Sequence, residues 1–144
     1  MESLHYLLLV NHLTMQKALM TRIKDTDLTL GQPKILEYLR CHDGAVQKDI
    51  AAACRIEPAT ITSVLLGMER AKLIHRQSQD GDRRSLTVWL TPLGRERAER
   101  VAAEFVEIDR QAYQGFTPEE QTQLCTLLER VRNNLTEKRT DSIG

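Results

Sequence analysis

Four prolines, Pro33, Pro58, Pro92 and Pro118, divide this chain into helices. Proline lacks a backbone N–H and fixes φ near about −65°, so it suits the first turn of a helix and breaks a helix interior. Each of the four stands where an apolar-periodic run begins. Thr29-Leu30-Gly31-Gln32 leads into Pro33 as a capping box, in which the threonine accepts from the helix and the glutamine reaches back. Thr117-Pro118-Glu119-Glu120 repeats that pattern, and Glu57-Pro58 and Thr91-Pro92 open two further helices.

The intervals between these starts fill in consistently. A long first helix, roughly Glu2 to Lys24, carries Leu4, Leu8, Leu19 and Ile23, its stripe blurred by the cluster Leu7 to Val10. Ile35, Leu36 and Leu39 mark a helix ending near Cys41, before the turn His42-Asp43-Gly44. Ile50 and Ala53 mark a short helix from about Gln47 to Cys54, and Ile61, Val64, Leu65 and Met68 recur at helical steps after Pro58, to about Ala71. The period then changes. Residues 73–78 and 85–90 are β-capable, the second alternating Leu86, Val88 and Leu90 with Ser85, Thr87 and Trp89. Between them Gln79 to Arg84 forms a polar turn containing Asp-Gly, as expected of a hairpin tip. Two last helices carry Val101, Phe105, Ile108 and Ala112, then Leu124, Leu127, Leu128, Val131 and Leu135. The expected fold is mainly α with a small β-hairpin wing (α+β): a winged helix-turn-helix lobe at 29–91, flanking helices at 2–24 and 92–136, and a fraying tail at 137–144.

Composition narrows the function classes. With 41% hydrophobic and 28% charged residues, the 144-residue chain is ordinary globular material with enough length for a core. No signal peptide is legible, and Leu7 to Val10 is too short to span a bilayer, so no membrane role and a cytoplasmic location are expected. The three cysteines, Cys41, Cys54 and Cys125, lack paired spacing for zinc or a disulfide framework. Nucleophile-plus-base spacing, a phosphate-cradling glycine loop and metal-ligand spacing are also missing, so neither an enzyme, a cofactor nor a bound metal is expected.

A helix-turn-helix places its second helix in the major groove while the first braces it. Here these are Gln47 to Cys54 and the helix after Pro58, joined by Arg55-Ile56-Glu57. The second presents Ala59, Thr60, Thr62, Ser63, Leu66, Gly67 and Arg70 outward. Thr60, Thr62 and Ser63 are candidates for base or phosphate contact, and Leu66 for a thymine methyl. The same residues also suit a merely solvated face, and the hairpin tips the balance. Arg83 and Arg84 stand at its tip, with Lys72 and Arg76 near its base, and an arginine there can enter the narrow minor groove. Asp82 beside them would repel phosphate, but makes sense as a buttress that aims an arginine. Formal net charge is zero over the whole chain, yet residues 46–91 are net positive by two. DNA binding therefore rests on local charge.

These residues resemble the multiple-antibiotic-resistance regulator (MarR) family, from about Leu4 to Leu135. Leu28-Thr29-Leu30-Gly31-Gln32 followed by Ile35-Leu36 is similar to the family's "L-T-x-x-Q…L" helix entry, and Thr60-Ile61-Thr62 through Leu73-Ile74-His75-Arg76 to its recognition helix and first wing strand. Asp82-Arg83-Arg84, Leu90-Thr91 and Gly94 are similar to its "D-x-R…L-T-x-x-G" wing signature. The resemblance implies a bacterial transcription regulator, a repressor, that binds double-stranded DNA at a palindromic operator as an obligate homodimer. It makes Arg84 the wing-tip arginine and Asp82 its partner, and implies a small aromatic or anionic effector between the dimer helices and the DNA lobe. Three positions depart from the pattern. Ser63 and Gly67 are often basic in the family, and Lys72 stands where glycine is common. The first helix also lacks the cysteine of the oxidant-sensing members, leaving Cys41 and Cys54 to be read as buried small hydrophobes.

The terminal helices carry more apolar surface than one lobe can cover, which points to dimerisation through Leu4–Val10, Val101–Ala112 and Leu124–Leu135. For an effector, His5, His12 and Tyr38 are the candidate contacts, each equally readable as a packing residue. The rival reading is a winged-helix dimer that serves as a protein-interaction scaffold without specific DNA binding.

Overall fold

The computed structural model describes residues 1–79 and 82–136, and the side chains of those outside 79–85. The expected tail, 137–144, lies outside the described residues. The described elements, in chain order, are α1 (Leu4–Arg22), a 3-10 turn (Lys24–Thr26), α2 (Gln32–Cys41), β1 (Ala45–Val46), α3 (Gln47–Cys54), α4 (Pro58–Arg70), β2 (Ile74–Gln79), β3 (Asp82–Leu90), α5 (Pro92–Ala112) and α6 (Pro118–Thr136). The chain forms two compact units, the first running from Met1 to Ile108 and the second beginning at Asp109.

All four prolines open helices, but the two capping boxes differ. At α6 both halves form: Glu120 N–H donates to Thr117 Oγ1 at 3.1 Å, and Thr117 N–H to Glu120 Oε1 at 2.9 Å. At α2 only the glutamine half forms, with Thr29 N–H donating to Gln32 Oε1 at 3.0 Å. The threonine half is replaced by a backbone turn, Gln32 N–H to the Thr29 carbonyl at 3.1 Å, because Gly31 at φ +94° inserts a left-handed residue ahead of the helix.

The core of the first unit is built where the apolar stripes meet. Ile35, Leu36 and Leu39 of α2, Ile50 of α3, Ile61, Leu65 and Met68 of α4, and Val101 of α5 are all buried. Ile74 and Val88 close it from the sheet. Burying a side chain of this size contributes about 1.5–3 kcal/mol. The sheet is antiparallel with order β1-β3-β2, and it holds one more strand than the hairpin expected from sequence. β1 is two residues long, pairing Ala45 with Val88 and Val46 with Thr87. Thr87, on the face of β3 opposite Val88, is buried as well, its hydroxyl donating to the Gln77 carbonyl at 3.1 Å and accepting from Trp89 Nε1 at 3.0 Å. The second wing strand also begins earlier than expected, while the first is only shifted by one residue. Asp82, Arg83 and Arg84 belong to β3 rather than to the turn, and an irregularity at Ser78/Gln79 lets the longer strand keep pairing.

Helix α4 ends in a Schellman motif. Leu73 N–H donates to the Met68 carbonyl at 2.9 Å and Lys72 N–H to that of Glu69 at 3.0 Å, with Leu73 and Met68 both buried. Lys72 occupies the left-handed position at φ +61°, which accounts for a glycine being usual there. The wing returns to this point. Thr91 N–H donates to the Leu73 carbonyl at 3.0 Å, and Thr91 Oγ1 accepts from Gly94 N–H at 2.9 Å to cap α5. A Cβ on Gly94 would collide with that same carbonyl oxygen.

One cysteine assignment is corrected. Cys54 is buried as expected, and burial raises its thiol pKa, but Cys41 is exposed because it ends α2 on the side away from Leu39. Two stability predictions follow from the α4–wing–α5 junction. Gly94→Ala should lower unfolding free energy by about 3 kcal/mol in urea titrations, since backbone rather than a flexible side chain must yield. Lys72→Gly should raise it by about 0.5–1 kcal/mol in the same assay, by relieving the left-handed strain of a residue bearing a Cβ.

Candidate nucleic-acid interface

The axes of α3 and α4 turn through 109° across Arg55-Ile56-Glu57, within the range of a helix-turn-helix. Glu57 leaves α3 in extended conformation, and Pro58 starts α4 at once. The buried stripe Ile61, Leu65 and Met68 fixes α4's rotation about its own axis. Consequently Ala59, Thr60, Thr62, Ser63, Leu66 and Arg70 are all exposed, while Gly67 is half-buried. Five of the residues singled out from sequence, Thr60, Thr62, Ser63, Leu66 and Arg70, thus share one solvent-facing surface.

Their hydrogen-bonding states differ. Ser63 Oγ donates to the Thr60 carbonyl at 2.9 Å, which spends its proton within the helix and leaves its lone pairs outward. Thr62 Oγ1 accepts from Gln47 Nε2 at 2.8 Å. Gln47 was not among the sequence candidates, since a single polar residue at a helix start gives no periodic signal. Arg70, in the last turn of α4, makes no ion pair among the described residues.

Arg76 is placed differently from Arg70. Its guanidinium lies against Glu69 of α4, Nε at 3.1 Å from Oε2 and Nη2 at 3.4 Å from Oε1, with only 16% of the side chain exposed. That fork holds the Glu69 carboxyl below its ordinary titration range and ties the first wing strand to the recognition helix. Arg76 is therefore committed to Glu69 rather than projecting with the α4 surface. The side chains of Asp82, Arg83 and Arg84 lie outside the described residues.

A cavity of about 580 Å³ opens beside the start of α4. Its lining includes His12, Met15, Lys34, Arg55, Thr60 and Phe105, so cationic groups sit at the margin of a largely apolar space. Of the three effector candidates only His12 lines it. His5 is exposed elsewhere on α1, and Tyr38 stacks on His42 with ring centroids 4.3 Å apart. Lys34 and Arg55 were missed from sequence because their apposition depends on the left-handed turn at Arg55, φ +55°. Among the described residues no three His, Cys, Asp or Glu side chains gather as metal ligands, and no single helix is long and apolar enough to cross a membrane.

A family model described as the MarR family matches residues 28–86, from just before α2 into β3. The homoprotocatechuate degradative operon repressor of Escherichia coli is 33% identical over 108 residues, covering 74% of this chain and 72% of that protein. The chain belongs to the MarR family. Within it, the HTH-type transcriptional regulator PecS of Dickeya dadantii is 39% identical over 90 residues, a match covering 62% of this chain and about half, 54%, of that regulator. Among solved structures, the MepR–DNA complex of S. aureus superposes with a TM-score of 0.83 at 27% identity, covering 92% of this chain and 96% of that one. This MarR-family winged helix therefore has its α4 surface in a fold that has been captured on DNA.

The Glu69–Arg76 fork makes a measurable prediction. A double-mutant cycle with Glu69→Gln and Arg76→Met should give a coupling of about 0.5 kcal/mol at neutral pH, small because Glu69 is substantially solvated. Since folding lowers the Glu69 pKa, this stabilisation is complete above the ordinary carboxylate range. It should disappear as pH falls through the lowered value.

Proposed function

We propose that this chain is a sequence-specific transcription regulator, a repressor that binds a palindromic operator in double-stranded DNA as a homodimer in the cytoplasm. The observation that carries this reading is the α4 surface, where five small, hydroxyl, apolar and cationic side chains face solvent from a helix rigidly set by its buried stripe. Such a surface supplies hydrogen bonds and methyl contacts to base edges while Arg70 meets phosphate. Arg84 takes the minor-groove role, aimed by Asp82, and Arg83 and Arg76 reinforce the wing, Arg76 by way of Glu69. The likeness to a named operon repressor and to a regulator crystallised with DNA supports the same reading.

Dimerisation is supported by apolar surface that each element leaves exposed. On α1 these residues are Leu4, Leu7, Leu8, Leu9, Val10 and Leu13, and on α6 they are Leu124, Leu127, Leu128 and Leu135. Monomeric proteins rarely leave so many large apolar side chains exposed along a single helix. The effector is a small aromatic anion, taken up in the cavity with its ring against Met15 and Phe105 and its charge toward Lys34 and Arg55.

The deciding test is selection of bound duplexes from a random library with purified protein. One palindrome with half-sites about one helical turn apart should be enriched. Light scattering should give twice the chain mass of 16.5 kDa. Affinity for the selected duplex should fall steeply with salt, and Arg84→Ala should weaken it at least about tenfold. Failure to enrich any duplex at low salt, after stripping co-purified ligand, would favour the protein-interaction scaffold, a reading that the zero net charge also accommodates.

A further inference from the structure

The hydrogen bond from Gln47 Nε2 to Thr62 Oγ1 joins the first residue of α3 to the exposed face of α4. A neutral pair so close to solvent contributes little net stability, because water satisfies both partners in the unfolded chain. Its consequence is geometric. We propose that Gln47 and Thr62 form one composite reading unit for adenine in the major groove, an inference that rests on the DNA-binding reading above.

An amide offers one acceptor oxygen and an NH2 group, and a hydroxyl offers one donor and two lone pairs. Neither side chain has a second hydrogen bond among the described residues. With Nε2 donating to Oγ1, the Gln47 oxygen remains an acceptor and the Thr62 hydroxyl proton remains a donor. Reversing the amide leaves an N–H donor on Gln47 and a lone pair on Thr62. Either way the pair presents a donor from one side chain beside an acceptor from the other, with a further amide N–H left over.

Adenine is the base whose major-groove edge has the complementary order, the N7 acceptor beside the N6 amino donor. Guanine offers two acceptors there, so it could engage only the unit's donors and would leave its acceptor unmatched. Phosphate oxygens likewise offer acceptors only and would leave that acceptor unmatched. Ser63 illustrates the contrast, because its proton is spent on the Thr60 carbonyl. The unit is also held in place before DNA arrives. Gln47 is half-buried and follows β1 directly, whose Val46 is paired with Thr87 of β3. Thr62 lies between buried Ile61 and half-buried Val64 on a helix whose rotation is fixed. Two side chains from different elements thereby achieve the bidentate contact that a single long amide would otherwise make.

The test uses the duplex enriched by the intact protein. Each adenine of the half-site is replaced in turn by 7-deazaadenine, which exchanges the N7 acceptor for C–H and keeps Watson–Crick pairing. At one adenine, repeated by symmetry in the second half-site, wild-type affinity should fall about tenfold or more. Gln47→Ala and the near-isosteric Thr62→Val should bind the unmodified duplex more weakly by a similar factor. Both should be insensitive to the modification there, and the double variant should be no weaker than the worse single one. Circular dichroism melts of the variants should match wild type. The proposal is overturned if no adenine in the half-site is sensitive, which the wild-type protein alone decides. It is equally overturned if either variant remains sensitive at that adenine, or weakens binding to all duplexes alike. A wild-type protein that enriches no duplex would overturn the DNA-binding reading, and this unit with it.

Discussion

The carbonyl oxygen of Leu73 is the point on which the lobe closes. It accepts from the Thr91 backbone N–H at 3.0 Å and lies near the Thr91 hydroxyl at 3.1 Å, while Gly94 packs against it with no side chain at all. Three chain segments converge here: the Schellman end of α4, the return of β3, and the first turn of α5. A side chain at position 94 would push α5 off the wing, and loss of the threonine would uncap α5 and leave the base of the hairpin unclasped. The Leu90-Thr91-Pro92-Leu93-Gly94 run thus has a physical reading, in which Leu90 fills the core, Thr91 caps and clasps, Pro92 starts the helix, and Gly94 permits contact.

From that junction the small sheet distributes position to everything that faces DNA. β3 is paired on both edges. One edge holds β2, whose Arg76 grips Glu69 near the end of α4. The other holds β1, which delivers Gln47 to Thr62 near the beginning of the same helix. The recognition helix is therefore referenced to one strand at both ends. Asp43 reinforces the outer edge, accepting from Leu90 N–H at 2.8 Å while pairing with Arg95 of α5 at 2.9 Å. Rigid elements hold a reading surface more accurately than loops do, and here a strand as short as β1 suffices because a helix begins at its last residue.

What was legible in the sequence followed from where strong local rules coincide. The prolines, their caps and the helical stripes placed α2, α3, α4, α5 and α6 almost to the residue, because proline and apolar periodicity constrain backbone and burial together. β1 was not legible, since two residues carry no period and become a strand only by pairing with β3. The second wing strand ran longer than expected because polar side chains do not prevent ladder pairing once a hairpin is nucleated. Outward positions on α4 could be read from its stripe, yet the partners of those side chains could not. Gln47, Glu69 and Lys34 owe their roles to tertiary contacts. Tyr38 could be read as packing or as ligand contact for the same reason: its stacking on His42 is settled by the turn after α2.

The neutral net charge then has a structural explanation that bears on function. Many of the charges are spent internally on fixing α5 against the lobe. Arg100 forks onto Asp25 at 3.0 Å and also reaches Glu104, which in turn meets Arg22 at 3.1 Å, while Arg40 meets Glu99 at 3.0 Å. The Arg100 fork holds the Asp25 carboxyl below its ordinary range, as Arg76 does for Glu69. Individually such solvated pairs contribute little stability, but as a set they favour one orientation of α5 against the lobe. Whole-chain charge is consequently a poor guide to what DNA would meet. Acidic groups are drawn into pairs with arginines, and the α4 surface is left to hydroxyls, a leucine and Arg70.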